Sequence, residues 1–197
     1  MAPDALRHQN LTDCRIHSVT ANPPIELVRP TAALEASYRG HVAEFLARGE
    51  PLIPFPIGFD LSDFGALLMR LDDCSRGVGI PEGFVAHSTF WLVRNGTEVV
   101  GVSSLRHSLT PMLLREGGNI GYGIRPSARG QGFGTEILRR TLERAVAIGL
   151  NEALVTCDKA NVASARVILG NGGVLDSEIF LEERGVLLQR YWIRGLK

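Results

Sequence analysis

Between residues 119 and 135 a short apolar strand, Asn119-Ile120-Gly121-Tyr122-Gly123-Ile124, passes through Arg125-Pro126-Ser127-Ala128 into Arg129-Gly130-Gln131-Gly132-Phe133-Gly134-Thr135. Three glycines at alternate positions stand directly ahead of an amphipathic helix read over Phe133 to Ile148. Backbone without side chains can press against an anion, and a helix start turns its unpaired N–H groups toward it. The segment therefore predicts a fold in which a strand hands over to a helix around a phosphorylated ligand.

Spacing separates the phosphate cradles this segment could be. A Walker loop places a lysine and then Ser or Thr after its last glycine, to reach terminal phosphates and magnesium. Here Gly134 is followed by Thr135 and Glu136, and that reading fails. A dinucleotide fingerprint spaces its glycines GxGxxG, whereas Gly130, Gly132 and Gly134 run GxGxG. Glu152 lies roughly twenty residues further on, where a ribose-binding acid belongs. It precedes its strand rather than ending it, however, and antiparallel hairpins ahead of the segment do not fit that fold.

The surroundings read as one α/β arrangement. Residues 1–23 lack periodicity and end at Pro23-Pro24, which marks a loose N-terminal extension; residues 24–197 are expected to form a single domain. Ile25 to Arg29 alternates like a strand, and Pro30-Thr31 opens a helix through about Ala47. Prolines at 51, 54 and 56 make 51–59 irregular, a second helix covers Ser62 to Asp73, and 76–83 is a loop. Strands Thr89 to Val93 and Glu98 to Leu105 flank Asn95-Gly96, a strong hairpin signal. A loop over 108–118 precedes the strand at 119–125. After the long helix come strand Ala153 to Cys157, helix Val162 to Leu169, and strands near 174–181 and 186–194. The order is βααβββαβαββ, an α/β fold around a mixed, mainly antiparallel sheet flanked by helices.

Composition excludes several classes of partner. Lys+Arg and Asp+Glu are equal at 21 each, so no global field favours nucleic acid or an anionic membrane. Cys14, Cys74 and Cys157 are far apart and lack CxxC spacing, which speaks against a disulfide framework or a zinc site and for a reducing, cytoplasmic setting. No apolar run is long enough to span a bilayer, and the N-terminus does not read as a signal peptide. Tyr191, Trp192 and Ile193 near the end are placed either to pair across a homodimer or to finish the core.

Arg129-Gly130-Gln131-Gly132-Phe133-Gly134 resembles the [RQ]-x-x-G-x-[GA] signature of the GCN5-related N-acetyltransferases, the GNAT family. Asn161 and Ser164 resemble the N-x-x-[AS] of that family's second cofactor segment, and the element order is similar over about residues 25 to 195. Leu105-Arg106-His107, Gly118 to Tyr122 and Arg125-Pro126-Ser127 look like a bacterial subgroup of its predicted acetyltransferases. The resemblance implies acetyl-CoA as co-substrate, no metal, and an amine acceptor. Gly130, Gln131, Gly132, Phe133, Gly134 and Thr135 would hold the pyrophosphate through backbone N–H groups, with Gly132 and Gly134 clearing its approach and Arg129 adding charge. Tyr122, Gly123 and Ile124 would splay from the neighbouring strand and pair with the pantetheine arm. The Ile124 N–H would polarise the thioester carbonyl and stabilise the oxyanion. Asn161 and Ser164 would sit beside the arm, or Asn161 would simply cap its helix.

The pattern also breaks. The tyrosine that many members place seven residues after this asparagine, as proton donor to the departing thiolate, is Ile168 here. The glutamate base of some members corresponds to Asn119. His107 and Glu116 lie near the motif strand and are the candidate bases, while Cys157 has no base beside it in sequence. The leading expectation is direct N-acyl transfer from acetyl-CoA, and the alternative is a catalytically inactive CoA-binding sensor or partner module. The acceptor groove is expected from the two N-terminal helices, the 51–59 and 76–88 loops and the C-terminal hairpin. The acceptor stays open among a small amine, an amino acid, an aminoglycoside and a protein amine.

Overall fold

A computed structural model describes residues 24–197, so the expected extension at 1–23 lies outside the described residues. The elements are β1 (Ile25–Val28), α1 (Glu35–Ala47), α2 (Phe64–Arg76), β2 (His87–Arg94), β3 (Glu98–Arg106), β4 (Ile120–Ile124), α3 (Phe133–Ala147), β5 (Glu152–Asp158), α4 (Val162–Gly170), β6 (Val174–Leu181) and β7 (Val186–Arg194). Their order is the one read from the sequence. Local chemistry explains the boundaries. Asn95 (φ 55°) and Gly96 (φ 70°) both take the positive φ that a tight β2–β3 hairpin needs. α2 runs on to Arg76, beyond the expected end at Asp73, until Gly77 turns left-handed and closes it. A π-helical turn, Leu113–Gly117, occupies part of the loop expected at 108–118. Among the described residues, no helix is long and apolar enough to cross a membrane.

The expected mixed sheet is divided. β1-β2-β3-β4 form one antiparallel sheet and β5-β7-β6 a second. They are joined at Asn119, just ahead of β4. Its N–H donates to the Leu154 carbonyl at 2.7 Å, and its side-chain Oδ1 accepts from the Leu154 N–H at 2.9 Å. On its other side the Asn119 carbonyl accepts from the Arg106 N–H at 2.8 Å, and its Nδ2 donates to the Arg106 carbonyl at 3.4 Å. One buried residue therefore clasps β3 and β5 together. Beyond that clasp β4 and β5 share no register, and a wedge opens between them.

β2 is buried on both faces, which is why Phe90-Trp91-Leu92-Val93 reads as an unbroken apolar run instead of alternating. Phe90 and Leu92 pack with Ile137 and Leu138 of α3. Trp91 and Val93 pack with Tyr38 of α1 and Phe64 and Leu67 of α2, and the Trp91 and Tyr38 rings stack at 4.5 Å. The four-stranded sheet thus lies between α3 on one face and α1 with α2 on the other.

Candidate active site

α3 begins at Gly132, which has φ 83° and supplies no side-chain cap. The starts of α2 and α4 contrast with it, whereas α1, which follows a 3-10 turn, has no side-chain cap at Leu34 either. Asp63 accepts from the Ala66 N–H at 2.9 Å at the start of α2, and Asn161 accepts from the Ser164 N–H at 3.0 Å at the start of α4. The first amides of α3 therefore carry no side chain of their own cap residue, the arrangement an external anion completes. A β-carbon at Gly130 or Gly132 would meet no atom within 4 Å, so the space before the helix is open. A β-carbon at Gly134 would lie 2.9 Å from Val167 Cγ2 on α4, so its missing side chain lets α3 pack on α4.

The arginines around the cradle are engaged by carboxylates. Arg129, expected to meet a phosphate, instead grips Glu50 with Nη1 at 2.9 Å and Nη2 at 2.5 Å, while its Nε donates to the Ile124 carbonyl at 3.2 Å. Gln131 Oε1 accepts from Arg94 at 3.2 Å, which turns this side chain toward the loop's own support. Arg125 Nε donates to Glu44 of α1 at 2.6 Å, and the Ser127 N–H and hydroxyl donate to the same carboxylate at 2.9 and 3.0 Å. These contacts fasten the entrance of the cradle to α1. They span 81 and 79 positions of chain, so no local pattern in the sequence marks Glu44 or Glu50.

Glu44 makes that anchor pH-sensitive. Burial disfavours its ionisation, but the Ser127 amide, the Arg125 guanidinium and the Ser127 hydroxyl outweigh it and hold its pKa at about 2. A carboxyl whose folded pKa lies below its unfolded value stabilises the fold above the ordinary carboxylate range and loses that contribution as pH falls through the folded pKa. Glu44→Gln is expected to lower stability by about 1–2 kcal/mol at pH 7, a partly exposed pair being screened by solvent. The gap to the unsubstituted protein should narrow between pH 4.5 and pH 2, as read from urea midpoints across that range.

The wedge is lined by β4. The ladder with β3 pairs Gly121 with Ser104 and Gly123 with Val102, and the Arg125 N–H donates to Val100 at 2.9 Å. In an antiparallel ladder the intervening residues turn their polar groups the other way. The amides of Tyr122 and Ile124 therefore face the wedge. The Tyr122 side chain crosses toward α4, where its hydroxyl lies 2.9 Å from Ser164 Oγ. Burial pushes its phenol up to about 12, against the lowering effect of the Ser164 bond. Burial likewise raises the Cys157 thiol beside it. Asn161 Oδ1 is committed to the cap of α4, so of its two expected roles the cap is the one its oxygen fills.

The two candidate bases fall in different places. His107 Nε2 lies 2.9 Å from Ser88 Oγ on β2, two strands from the free edge of β4, and burial lowers its pKa. Glu116 sits in the π-helical turn next to the clasp, where its carbonyl accepts from Thr156 of β5 at 3.3 Å. Its residue borders a cavity of about 190 Å³ shared with Arg115 and the β6–β7 turn. Ile168, in place of the family tyrosine, is fully buried. Asn119 is spent on the clasp.

On the opposite face of the sheet from α3, two cavities of about 410 and 150 Å³ share Phe55, Phe84 and His87. The 51–59 and 76–88 segments line both and α2 lines the larger one, whereas α1, also expected in the groove, lines neither and the C-terminal hairpin borders the separate 190 Å³ cavity. Gly123 brings the 51–59 segment close: a β-carbon there would lie 2.1 Å from the Ile53 carbonyl oxygen. Among the described residues, no group of three His, Cys, Asp or Glu side chains could hold a metal ion.

Residues 69–174 match the model of the acetyltransferase (GNAT) domain family. No curated protein matches the chain. Solved structures share the fold at low identity. yncA from Salmonella typhimurium, solved with its cofactor acetyl-CoA, is 14% identical with a TM-score of 0.59 over 86% of this chain and 93% of its own. The Salmonella typhimurium acetyltransferase that modifies the N-terminal serine of ribosomal protein L7/L12 is 16% identical with a TM-score of 0.62, over 86% and 94%. Spermidine N-acetyltransferase from Vibrio cholerae, a dodecamer, is 14% identical with a TM-score of 0.58, over 87% and 94%.

Proposed function

The chain belongs to the GNAT acetyltransferase domain family, and on that premise we propose that it transfers an acetyl group from acetyl-CoA to an amine by direct attack. The observation that carries this reading is the wedge between β4 and β5, which continues into the open, glycine-capped start of α3. Both fit the donor. The first amides of α3 meet the charge of a pyrophosphate, and the Tyr122 and Ile124 backbone groups match the amides of a pantetheine arm. Acetyl-CoA supplies the activated acyl group and a thiol leaving group. The Ile124 N–H is the donor assigned to the thioester carbonyl oxygen, since it faces the wedge and is not used by β3. Direct attack is preferred to a cysteine-linked route because the buried Cys157 thiol, its pKa raised, stays protonated.

The missing tyrosine of α4 has a replacement in space. Tyr122 reaches the same helix one turn earlier, at Ser164, and its phenol keeps its proton at neutral pH. We assign it as the proton donor to the departing thiolate, with Ser164 orienting it. The proton that the amine nitrogen loses on forming the amide returns through water to the phenolate, so amine and acetyl-CoA give amide and free thiol. Tyr122→Phe is expected to lower kcat by about 10- to 100-fold, at or below the low end of the general-acid range because a thiolate leaves readily. Acetyl-CoA affinity, which rests on backbone groups, should stay within about twofold, a difference of under 0.5 kcal/mol. An unchanged kcat would remove Tyr122 from the reaction.

Thiol release from acetyl-CoA across a panel of amines tests the whole reading. Turnover with at least one class of amine supports it. Tight CoA binding with no turnover on any acceptor would favour a binding module over an enzyme.

A further inference from the structure

The groove on the α1–α2 face carries an unbalanced charge. Arg106 lines its smaller cavity and is half-buried, and that burial lowers its pKa. Its Nη1 donates to the carbonyls of Gly117 and Gly118 at 3.0 Å each. Among the described residues no carboxylate pairs with it, in contrast to Arg125 and Arg129 nearby. A half-buried guanidinium without a counter-ion is costly, and its remaining N–H donors suit a planar carboxylate.

Beside it stands His87, its register partner across the β2–β3 ladder and part of the wall common to both cavities. His87 Nδ1 lies 3.0 Å from the Val85 carbonyl, so that nitrogen carries the proton and Nε2 is left as an acceptor. Nε2 is buried without a hydrogen-bond partner, as is the Thr89 hydroxyl two residues along the same face. Around this polar floor, apart from Arg70 and Asp73 on the α2 wall, the lining is largely apolar and exposed: Phe55 is 50%, Phe84 46%, Met112 56% and Met69 65% accessible. Isolated exposed apolar residues are common, but a contiguous set around a cavity marks a binding surface.

The groove also reaches the start of β4. Ser104, on its floor, is the register partner of Gly121, and Arg106 holds the two carbonyls immediately before the clasp. Donor and acceptor would then approach β4 from opposite faces of the sheet.

We propose that this groove binds the acceptor, and that the acceptor is an amine bearing a carboxylate and an apolar or aromatic body, the chemistry of an apolar α-amino acid. Arg106 takes the carboxylate and Phe55, Phe84 and Met112 hold the side chain, with His87 on the floor beneath them and the amine turned toward β4. The inference rests on the acyltransferase reading but identifies the substrate class, which that reading leaves open.

The test compares phenylalanine, phenylalanine amide, alanine and spermidine as acceptors in thiol release, with acetyl-CoA and phenylalanine binding measured separately by calorimetry. Phenylalanine should exceed its amide in kcat/KM by at least about tenfold, because a site built around a charge rejects the analogue lacking it. Arg106→Gln should bring that ratio toward one through KM. Phe84→Ala, on the exposed rim and safe for folding, should weaken phenylalanine binding several-fold and alanine binding far less; it keeps the test decisive if Arg106→Gln does not fold. Equal rates for acid and amide, or a preference for spermidine, would overturn the inference while leaving acyl transfer standing. Failure to bind acetyl-CoA would sink the acyltransferase reading instead, and phenylalanine binding would still judge the groove: none, with or without CoA, overturns it.

Discussion

Gly132→Glu is expected to weaken acetyl-CoA binding by about 100-fold or more, some 2.7 kcal/mol, while leaving the protein folded. The reason lies in the unfilled cap of α3. A β-carbon at Gly132 meets no atom within 4 Å, so the new side chain does not clash with the protein. Its carboxylate would sit at the helix's positive end and accept the free first-turn N–H groups itself. The variant would carry its own anion where the pyrophosphate belongs, and repel the ligand's charge as well. The left-handed φ of 83° costs an L residue about 1–2 kcal/mol, which the new cap offsets in part. Gly132→Ala isolates the backbone cost and should lose far less affinity. Gly134→Ala should show the reverse profile, a lower melting temperature because its methyl meets Val167 at 2.9 Å. Calorimetric titration of acetyl-CoA with circular dichroism on each variant checks all three, and full affinity in a folded Gly132→Glu protein would rule out this cradle.

That contrast shows which parts of the site could be read in the chain. Alternate glycines before an amphipathic helix are a local pattern, and local geometry is what spacing encodes; the glycine-led start of α3, the hairpin at Asn95-Gly96 and the cap at Asn161 were all legible for that reason. The roles within the pattern were less so. Gly130, Gly132 and Gly134 look equivalent on paper, yet Gly132 is left-handed facing open space and Gly134 touches a side chain of another helix. Arg129 reads as a phosphate ligand because its partner Glu50 lies 79 positions away. Tyr122 reads only as backbone for the pantetheine arm, because nothing in its own strand announces Ser164. Long-range pairing of this kind depends on how elements dock, and no periodicity carries it. The wedge itself was anticipated only through the family resemblance. Its physical origin, one asparagine bonded to both neighbouring strands, is visible only in three dimensions.

Asn119→Ala is expected to cost about 2–4 kcal/mol, because it strips the acceptor from a buried Leu154 N–H and leaves a small cavity between the sheets. For a chain of this size that corresponds to a melting temperature lower by roughly 4–16 °C. Acetyl-CoA affinity should fall too, although Asn119 lies outside the cradle, since the clasp sets where β4 begins to diverge from β5. Asn119→Asp separates this structural role from a proton-transfer role inherited with the position. An aspartate keeps the oxygen facing the Leu154 N–H, but replaces Nδ2 with an oxygen facing the Arg106 carbonyl, now at 3.4 Å from that donor. Two acceptors in contact favour the protonated acid, so the folded-state pKa rises above the unfolded one. Stability of Asn119→Asp should therefore be greatest below the ordinary carboxyl pKa and decline as pH rises through the folded value, a dependence readable in urea midpoints. If the position instead served catalysis, the carboxylate would raise kcat without such a penalty. That outcome would make Asn119 a weakened base, and the clasp would lose its claim on this residue.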